Sequence, residues 1–366
     1  MAQKRVLTAM SGGVDSTVSA ALLIEQGYDV SGVMLRLFDG CDMGFDPRQR
    51  TCCSVQDLED ARKASLRMNM PFYVFDFTQP FKKQVVDRFV SEYTGGFTPN
   101  PCLDCNRYVK FAELLDRAIE MDYDYIATGH YAQIEQDETT GRWLLKKGPD
   151  PSKDQSYVLY TLSQDELEHL LLPVGGLPKD EVRNVADTLG LENAHKPDSQ
   201  DICFVPDGDY AGFLERSGGV KSVPGNFVDT KGNILGRHKG IVHYTIGQRR
   251  GLGVSAGQRL FVVDIVPEIN RVVLGTEDEL QAKEFYVEDC NWIQIENLTK
   301  PMQLKVRTRY HQKEADATIS PLAGGRVKVE YAEAQRAPAP GQAAVFYDGD
   351  YVVGGGKIMR GKPQAE

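Results

Sequence analysis

No stretch of this chain approaches the roughly 20 consecutive apolar residues that a membrane-spanning helix needs. Its start, Met1-Ala2-Gln3-Lys4-Arg5, leads into a core strand rather than the apolar centre of a secretion signal. The expectation is a soluble, cytoplasmic protein with no membrane partner. A disulfide framework is also missing: seven cysteines, an odd number at irregular spacing in 366 residues, suit reactive or metal-binding thiols instead. Repeats and low-complexity tracts are absent, and the length allows two or three domains with real cores.

Acid is what two segments lack. The net charge of -10 argues against general nucleic-acid binding, yet residues 230–263 hold no Asp or Glu beside Lys231, Arg237, Lys239, Arg249, Arg250 and Arg259. Residues 297–313 repeat the pattern, with Lys305, Arg307 and Arg309 alternating with Val306, Thr308 and Tyr310, so a strand there has one cationic and one packed face. Solvated surface accounts for either stretch; two of them in an acidic chain favour an anionic polymer as partner.

A third absence is informative. Ser11-Gly12-Gly13-Val14-Asp15-Ser16 lies between an apolar strand (6–10) and an amphipathic helix carrying Val14, Val18, Ala21 and Leu22 and stopping at Gly27. Glycines permit close backbone approach, Ser11 and Ser16 offer hydroxyls, and the helix start offers unpaired N–H groups, so phosphate is the natural ligand. The lysine of the G-x-x-x-x-G-K-[ST] loop is missing, so such a loop can hold pyrophosphate and release it. Gly354-Gly355-Gly356-Lys357 lacks both the leading Gly and the following Ser or Thr and is set aside.

Up to about residue 200 strands and helices alternate: strand 30–35, a helix opened by Ser54 with Asp57 three on, strand 72–77, helix 80–93, strand 125–128 ending at Gly129-His130, and a helix bearing Val182, Val185, Ala186 and Leu189. This predicts an α/β, doubly wound, mainly parallel sheet with its site at the C-terminal strand ends, where the glycine loop, Leu35 and Gly129-His130 fall. Beyond about 207 helices become scarce. A hairpin is expected at 261–265 and 271–274, then short strands at 303–310, 326–331, 343–347 and 351–353, which suit a small β-barrel. The expected units are 1–206, a small central 207–275, and a barrel over 276–366.

Cys102 and Cys105 form a C-x-x-C in Asn100-Pro101-Cys102-Leu103-Asp104-Cys105-Asn106, and Cys203 lies far off in Asp198-Ser199-Gln200-Asp201-Ile202-Cys203-Phe204. A lone C-x-x-C fits half a metal site, a redox pair or an accident. Cys41, Cys52 and Cys53 stay unassigned, and Cys290 reads as core.

The S-G-G-x-D-S loop resembles the PP-loop of ATP pyrophosphatases, of the adenine nucleotide alpha hydrolase-like fold. Taken in order with Thr98-Pro99-Asn100-Pro101, Ala127-Thr128-Gly129-His130-Tyr131, Lys153-Asp154-Gln155-Ser156-Tyr157, the Cys203 segment and Thr245-Ile246-Gly247-Gln248-Arg249-Arg250-Gly251-Leu252-Gly253, it resembles the bacterial tRNA-specific 2-thiouridylase (MnmA/TrmU) family over nearly the whole chain. The resemblance implies ATP-dependent replacement of the wobble uridine 2-oxygen by sulfur in the tRNAs for Lys, Glu and Gln. The oxygen is first adenylated, with Mg2+ on the phosphates. Ala9, Met10, Ser11, Gly12, Gly13, Val14, Asp15, Ser16, Leu35 and Gly129 match ATP positions, and Asp15 suits a metal or loop-orienting role. Cys203 matches the persulfide carrier and Cys105 the nucleophile, paired as a transient disulfide that external reductant resets. Asn100, Pro101, Cys102, His130, Lys153, Asp154, Gln155, Arg309, Tyr310 and Gln342 match tRNA contacts, with the anticodon stem-loop as partner. The implied sulfur source is a persulfide donor, a cysteine desulfurase or relay protein.

Where one common form of the motif carries an Asp base, this chain has Cys102, whose thiolate could accept a proton if its pKa were lowered. Alternatively Cys102, Cys105 and Cys203 hold three corners of an iron-sulfur cluster that binds sulfide at an open iron. The rival functions are another adenylating PP-loop enzyme of the amidotransferase-synthetase type, and a nucleotide- or RNA-binding protein without turnover.

Overall fold

The computed structural model describes residues 3–38, 55–191, 193, 194, 196, 202–255 and 257–363. The Ser54 cap, Cys41, Cys52, Cys53 and residues 198–201 of the Cys203 segment lie outside them.

In the first part of the chain, β1 (Arg5–Ala9), α1 (Val14–Glu25), β2 (Asp29–Arg36), α2 (Val55–Arg67), β3 (Phe72–Asp76) and β4 (Tyr125–Ala127) alternate as expected. A hairpin of β5 (Ala132–Gln136) and β6 (Trp143–Lys147) follows, then the short β7 (Leu170–Leu171). The sheet runs β3-β2-β1-β4-β7 and every pairing is parallel. Strand order reverses at β1, so the loop after β1 opens at the switch point where α/β sheets bind ligands.

Two helices depart from the expected regular form. The predicted helix 80–93 runs from Thr78–Phe81 (α3) through a π-turn at Lys82–Val86 into Asp87–Thr94 (α4). Pro101–Asp104 (α5) passes through a nine-residue π-segment, Cys105–Glu113, into Leu114–Glu120 (α6). Such i→i+5 segments cannot be seen in a 3.6-residue hydrophobic period and cluster at functional sites. In α1 the inward residues include Ala20 and Leu23, whereas Ala21 and Leu22 are half-buried, because the helix is covered by the sheet and also by a later helix, α8 (Lys179–Thr188). The small α7 (Gln164–Glu168) between them carries a complete capping box from Ser163 and Glu166.

After α9 (Tyr210–Arg216) the chain is mostly strand. A central sheet of β8 (Gly225–Asp229), β9 (Ile234–His238), β10 (Phe261–Val266) and β11 (Arg271–Gly275) contains the expected hairpin, with β8 and β11 parallel. β12 (Gln281–Trp292), β13 (Met302–Arg307), β14 (Ala315–Pro321), β15 (Val327–Arg336), β16 (Ala343–Asp348) and β17 (Tyr351–Ile358) form the last sheet, closed by β12 pairing with β17. The β5–β6 hairpin from the first part of the chain extends this sheet through β17. Gly354, Gly355 and Gly356 sit within β17: a Cβ on Gly354 would stand 2.7 Å from the Trp292 ring, and one on Gly355 2.7 Å from the Tyr160 ring. The run exists to let the strand pass under aromatic side chains.

Candidate active site

The loop after β1 is built from behind. Gly12 has φ +72°, and a Cβ there would stand 2.4 Å from the Asp57 carbonyl oxygen, so only glycine fits. Its carbonyl accepts from Asn193 Nδ2 at 3.1 Å and Lys196 Nζ at 3.2 Å, while Lys196 also binds Asp57 at 2.5 Å and Asp60 at 2.8 Å. Burial works against the Lys196 charge, but the two carboxylates outweigh it and raise its pKa. Ser16 is used internally, its hydroxyl donating to Gly13 O and accepting from Ser11 N, both at 3.2 Å, whereas Ser11 itself is exposed. No side chain caps α1, so its first turn presents backbone N–H groups and the positive dipole end at the loop.

Asp15 is spoken for. Its carboxylate takes both bonds from the Lys179 ammonium, at 2.7 and 2.8 Å, and one from the Tyr131 hydroxyl at 2.5 Å. Lys179 is only 5 % exposed, so the cation that the loop sequence lacks arrives from the start of α8. The expected metal-ligand role for Asp15 thus gives way to loop orientation, and Mg2+ fits here as an ion brought by nucleotide phosphates. Lys179, Lys196, Asn193 and Tyr131 were not legible as site residues. One signal existed: a lysine as first residue of a helix opposes the dipole, which asks for a buried anion nearby.

The flanks match the expected edge. Ala9 ends β1, the Met10 N–H donates to Val33 O at 2.7 Å, and Val14 is buried beneath the loop. Leu35 lies at the C-terminal end of β2, and Gly129 presses on the loop so closely that a Cβ would stand 2.7 Å from Ser16 N. His130 bonds Thr128 Oγ1 through Nδ1 at 2.8 Å, and burial together with the Lys110 charge pushes its pKa down to about 3. It is neutral at pH 7.

The thiols sit on and beside the π-helical segment. Asn100 caps α5, its Oδ1 accepting from Cys102 N at 3.1 Å, and Pro101 occupies the first turn, where a missing N–H costs nothing. Cys105 faces inward and is 6 % exposed; Cys203 is half-buried against the same apolar cluster, next to Phe204, whose ring meets Phe81 and Phe89. Cys102 reaches solvent, yet the surrounding protein mass raises its pKa, with Lys110 pulling the other way. The lowered pKa that a Cys102 base requires is therefore reversed. Among the described residues no three His, Cys, Asp or Glu side chains converge where a metal ion could sit, so the three thiols are not assembled as a cluster ligand set. Cys290 packs against the barrel core with its pKa pushed up to about 12 by burial, as a structural thiol.

The residues matched to RNA contacts divide sharply. Asp154 is buried, accepting from Gly148 N, Ser156 N and Oγ, and Arg307. Gln155 and Tyr131 exchange hydrogen bonds, Gln155 N donating to Tyr131 O and Gln155 Oε1 accepting from Tyr131 N, so this turn, with Lys153 at its edge, is a brace for the loop wall. Gln342 Nε2 donates to Thr98 O at 2.7 Å, fixing the barrel against the segment before Asn100. The predicted strand 303–310 stops at Arg307, and its cationic face is largely neutralised: Lys305 pairs with Asp316, and Arg307 with Asp154 and Glu314. Arg309 instead donates to Ile246 O at 3.1 Å, and Tyr310 lies 6.1 Å from the Tyr157 ring.

Family models match the chain in three consecutive pieces: a tRNA methyl transferase HUP domain over residues 4–207, a tRNA methyl transferase PRC-barrel domain over 211–276, and an aminomethyltransferase beta-barrel domain over 282–358. The chain is 50% identical over 359 residues to the tRNA-specific 2-thiouridylase MnmA of Acetivibrio thermocellus, covering 98% of this chain and 100% of that protein. It is 49% identical to the enzyme of the same name from Clostridioides difficile, covering 98% of each. A solved 4-thiouridine synthetase in complex with RNA and bound ATP is 18% identical, with a TM-score of 0.35 over 56% of this chain and 45% of that one.

Proposed function

The chain belongs to the tRNA-specific 2-thiouridylase family, and from that premise we propose that it replaces the 2-oxygen of the wobble uridine with sulfur in the tRNAs for Lys, Glu and Gln. What supports the reading is a full-length match to relatives named for this activity, in a chain that keeps an anion cradle at the sheet's switch point.

The uracil oxygen attacks the α-phosphate of ATP; an O–P bond forms and pyrophosphate leaves, which turns a poor leaving group into AMP. The loop receives the departing charge with backbone N–H groups at the start of α1 and with Lys179 held on Asp15. Mg2+ adds charge neutralisation on the phosphates when bound. The terminal sulfur of a Cys203 persulfide then attacks C2 and AMP departs. The Cys105 thiolate next attacks the Cys203 sulfur, forming the protein disulfide and releasing the thiolated base; its release of hydrosulfide before the attack on C2 gives the same electron balance. A dithiol reductant restores both thiols. Because Cys102 holds its proton at neutral pH, its part is contact with the base or proton donation.

The test is formation of 2-thiouridine with ATP, tRNA and either sulfide or a persulfide-loaded desulfurase. Cys203→Ser should abolish it while tRNA and ATP binding persist. No thiolation from either donor by the unaltered protein overturns the reading. An amidotransferase-type activity would use the same loop but leave the thiols without a task.

A further inference from the structure

The loop at residues 245–253 and the last barrel strands enclose an open concavity of about 460 Å³ whose wall carries Arg249, Arg250, Arg259 and Arg336 against a single acid, Glu277. Three positive charges are thus left unbalanced in a protein of net charge -10. Arg309 stands at its edge. Arg336 donates to Gly247 O at 2.6 Å and Arg309 to the neighbouring Ile246 O at 3.1 Å, so two guanidiniums from the barrel converge on consecutive carbonyls of the central unit. A Cβ on Gly247 would come within 3.3 Å of Arg309 and 3.4 Å of Arg336. None of these five arginines has a carboxylate within ion-pair distance among the described residues, and burial together with the Arg336 charge lowers the Arg309 pKa. Folding leaves like charges crowded here when Arg307, two residues away, is given two acids. The missing counter-charge is an anion from outside.

We propose that this concavity binds a phosphodiester of the RNA backbone, and that the bound phosphate clamps the central unit to the barrel. The proposal rests on the RNA-substrate reading above. Guanidinium forks match phosphate oxygens two at a time, and four of them around one hollow suit a group that carries full charge at every pH of interest. The Phe261 ring, already 5.4 Å from the Arg336 guanidinium, gives the floor a flat apolar face for the attached nucleoside. Nothing in the hollow reads base edges, so its contribution is affinity and placement rather than sequence choice.

Binding of unmodified tRNA across a salt series tests it. Arg249→Ala/Arg336→Ala should weaken binding at least about tenfold at 0.1 M salt and flatten the slope of log K against log salt by about one to two, since each lost phosphate contact removes about 0.7–0.9. Glu277→Gln should shift affinity the other way, a few-fold tighter. Arg249→Lys/Arg336→Lys keeps charge and should keep most of the slope, which separates phosphate binding from loss of fold; matched melting curves complete that control. Unchanged affinity and slope in the double alanine variant overturn the proposal. So does tripolyphosphate binding that the double variant loses while tRNA binding stays intact, for then the hollow serves a free polyphosphate. If the unaltered protein itself binds tRNA without salt dependence, the RNA-substrate reading fails first.

Discussion

Two neighbouring glycines in the nucleotide loop have different jobs. Gly12 is held at φ +72° with the Asp57 carbonyl where a methyl would go, whereas Gly13 has φ -86° and only Ser11 Oγ at 3.4 Å. Gly12→Ala should therefore cost about 2 kcal/mol or more of stability in urea unfolding, and Gly13→Ala under about 1 kcal/mol. The Lys179–Asp15 pair yields a second contrast. Lys179→Met strands a carboxylate beside a hydroxyl, at a cost of about 2–4 kcal/mol; adding Asp15→Asn should recover most of that stability. Pyrophosphate release should stay lost in the double variant, since the cation is still absent. Recovery of release along with stability would show that Lys179 only neutralises Asp15.

At the scale of elements, the helix carrying the thiols is the one most tied to pH. Asp104 in α5 has its carboxyl pushed up to about 6 by burial, with Glu92 adding to the rise and Arg88 and Lys357 opposing it. Here the folded state holds the proton more tightly than the unfolded chain, so stability falls as pH rises from about 4 to 6 and is level above. His130 acts in the opposite sense, because a pKa pushed down to about 3 costs stability as pH falls from 6.5 toward 3. Asp104→Asn should therefore gain stability relative to the unaltered protein as pH climbs from 4 to 7, read by urea midpoints at each pH. A flat difference would mean that Asp104 titrates normally. The parallel sheet, its switch point, the loop and the central hairpin were legible because each writes itself into local periodicity or turn chemistry. The π-segments were not, since nothing in Lys82–Val86 or Cys105–Glu113 breaks the apolar pattern. Nor could the sequence show that Lys179 reaches Asp15 across 164 residues, or that Arg307 but not Arg309 finds carboxylates, because long-range pairing leaves no spacing to read.

The whole molecule does not divide where its composition changes. Ile293, Ala343, Val345, Tyr347 and Val352 from the barrel share one apolar core with Leu103, Cys105, Phe111 and Tyr157. Arg107 pairs with Asp289, and Glu92 with Lys357, across the same junction. A chain ending at residue 275 should consequently pellet on lysis and bind apolar dyes; a soluble product with a cooperative melt would show that the first part builds its core alone.

The hairpin β5–β6 has a consequence in time. Its outer partner, Tyr351, is made long after Lys146, with which it pairs. At about 5–20 residues per second that interval is roughly 10–40 seconds on the ribosome. During it the nascent chain carries an unpaired strand edge, the kind of surface that invites pairing with a neighbouring copy. Production of this protein should be limited less by its final stability than by whether that edge is sheltered until the last strand emerges.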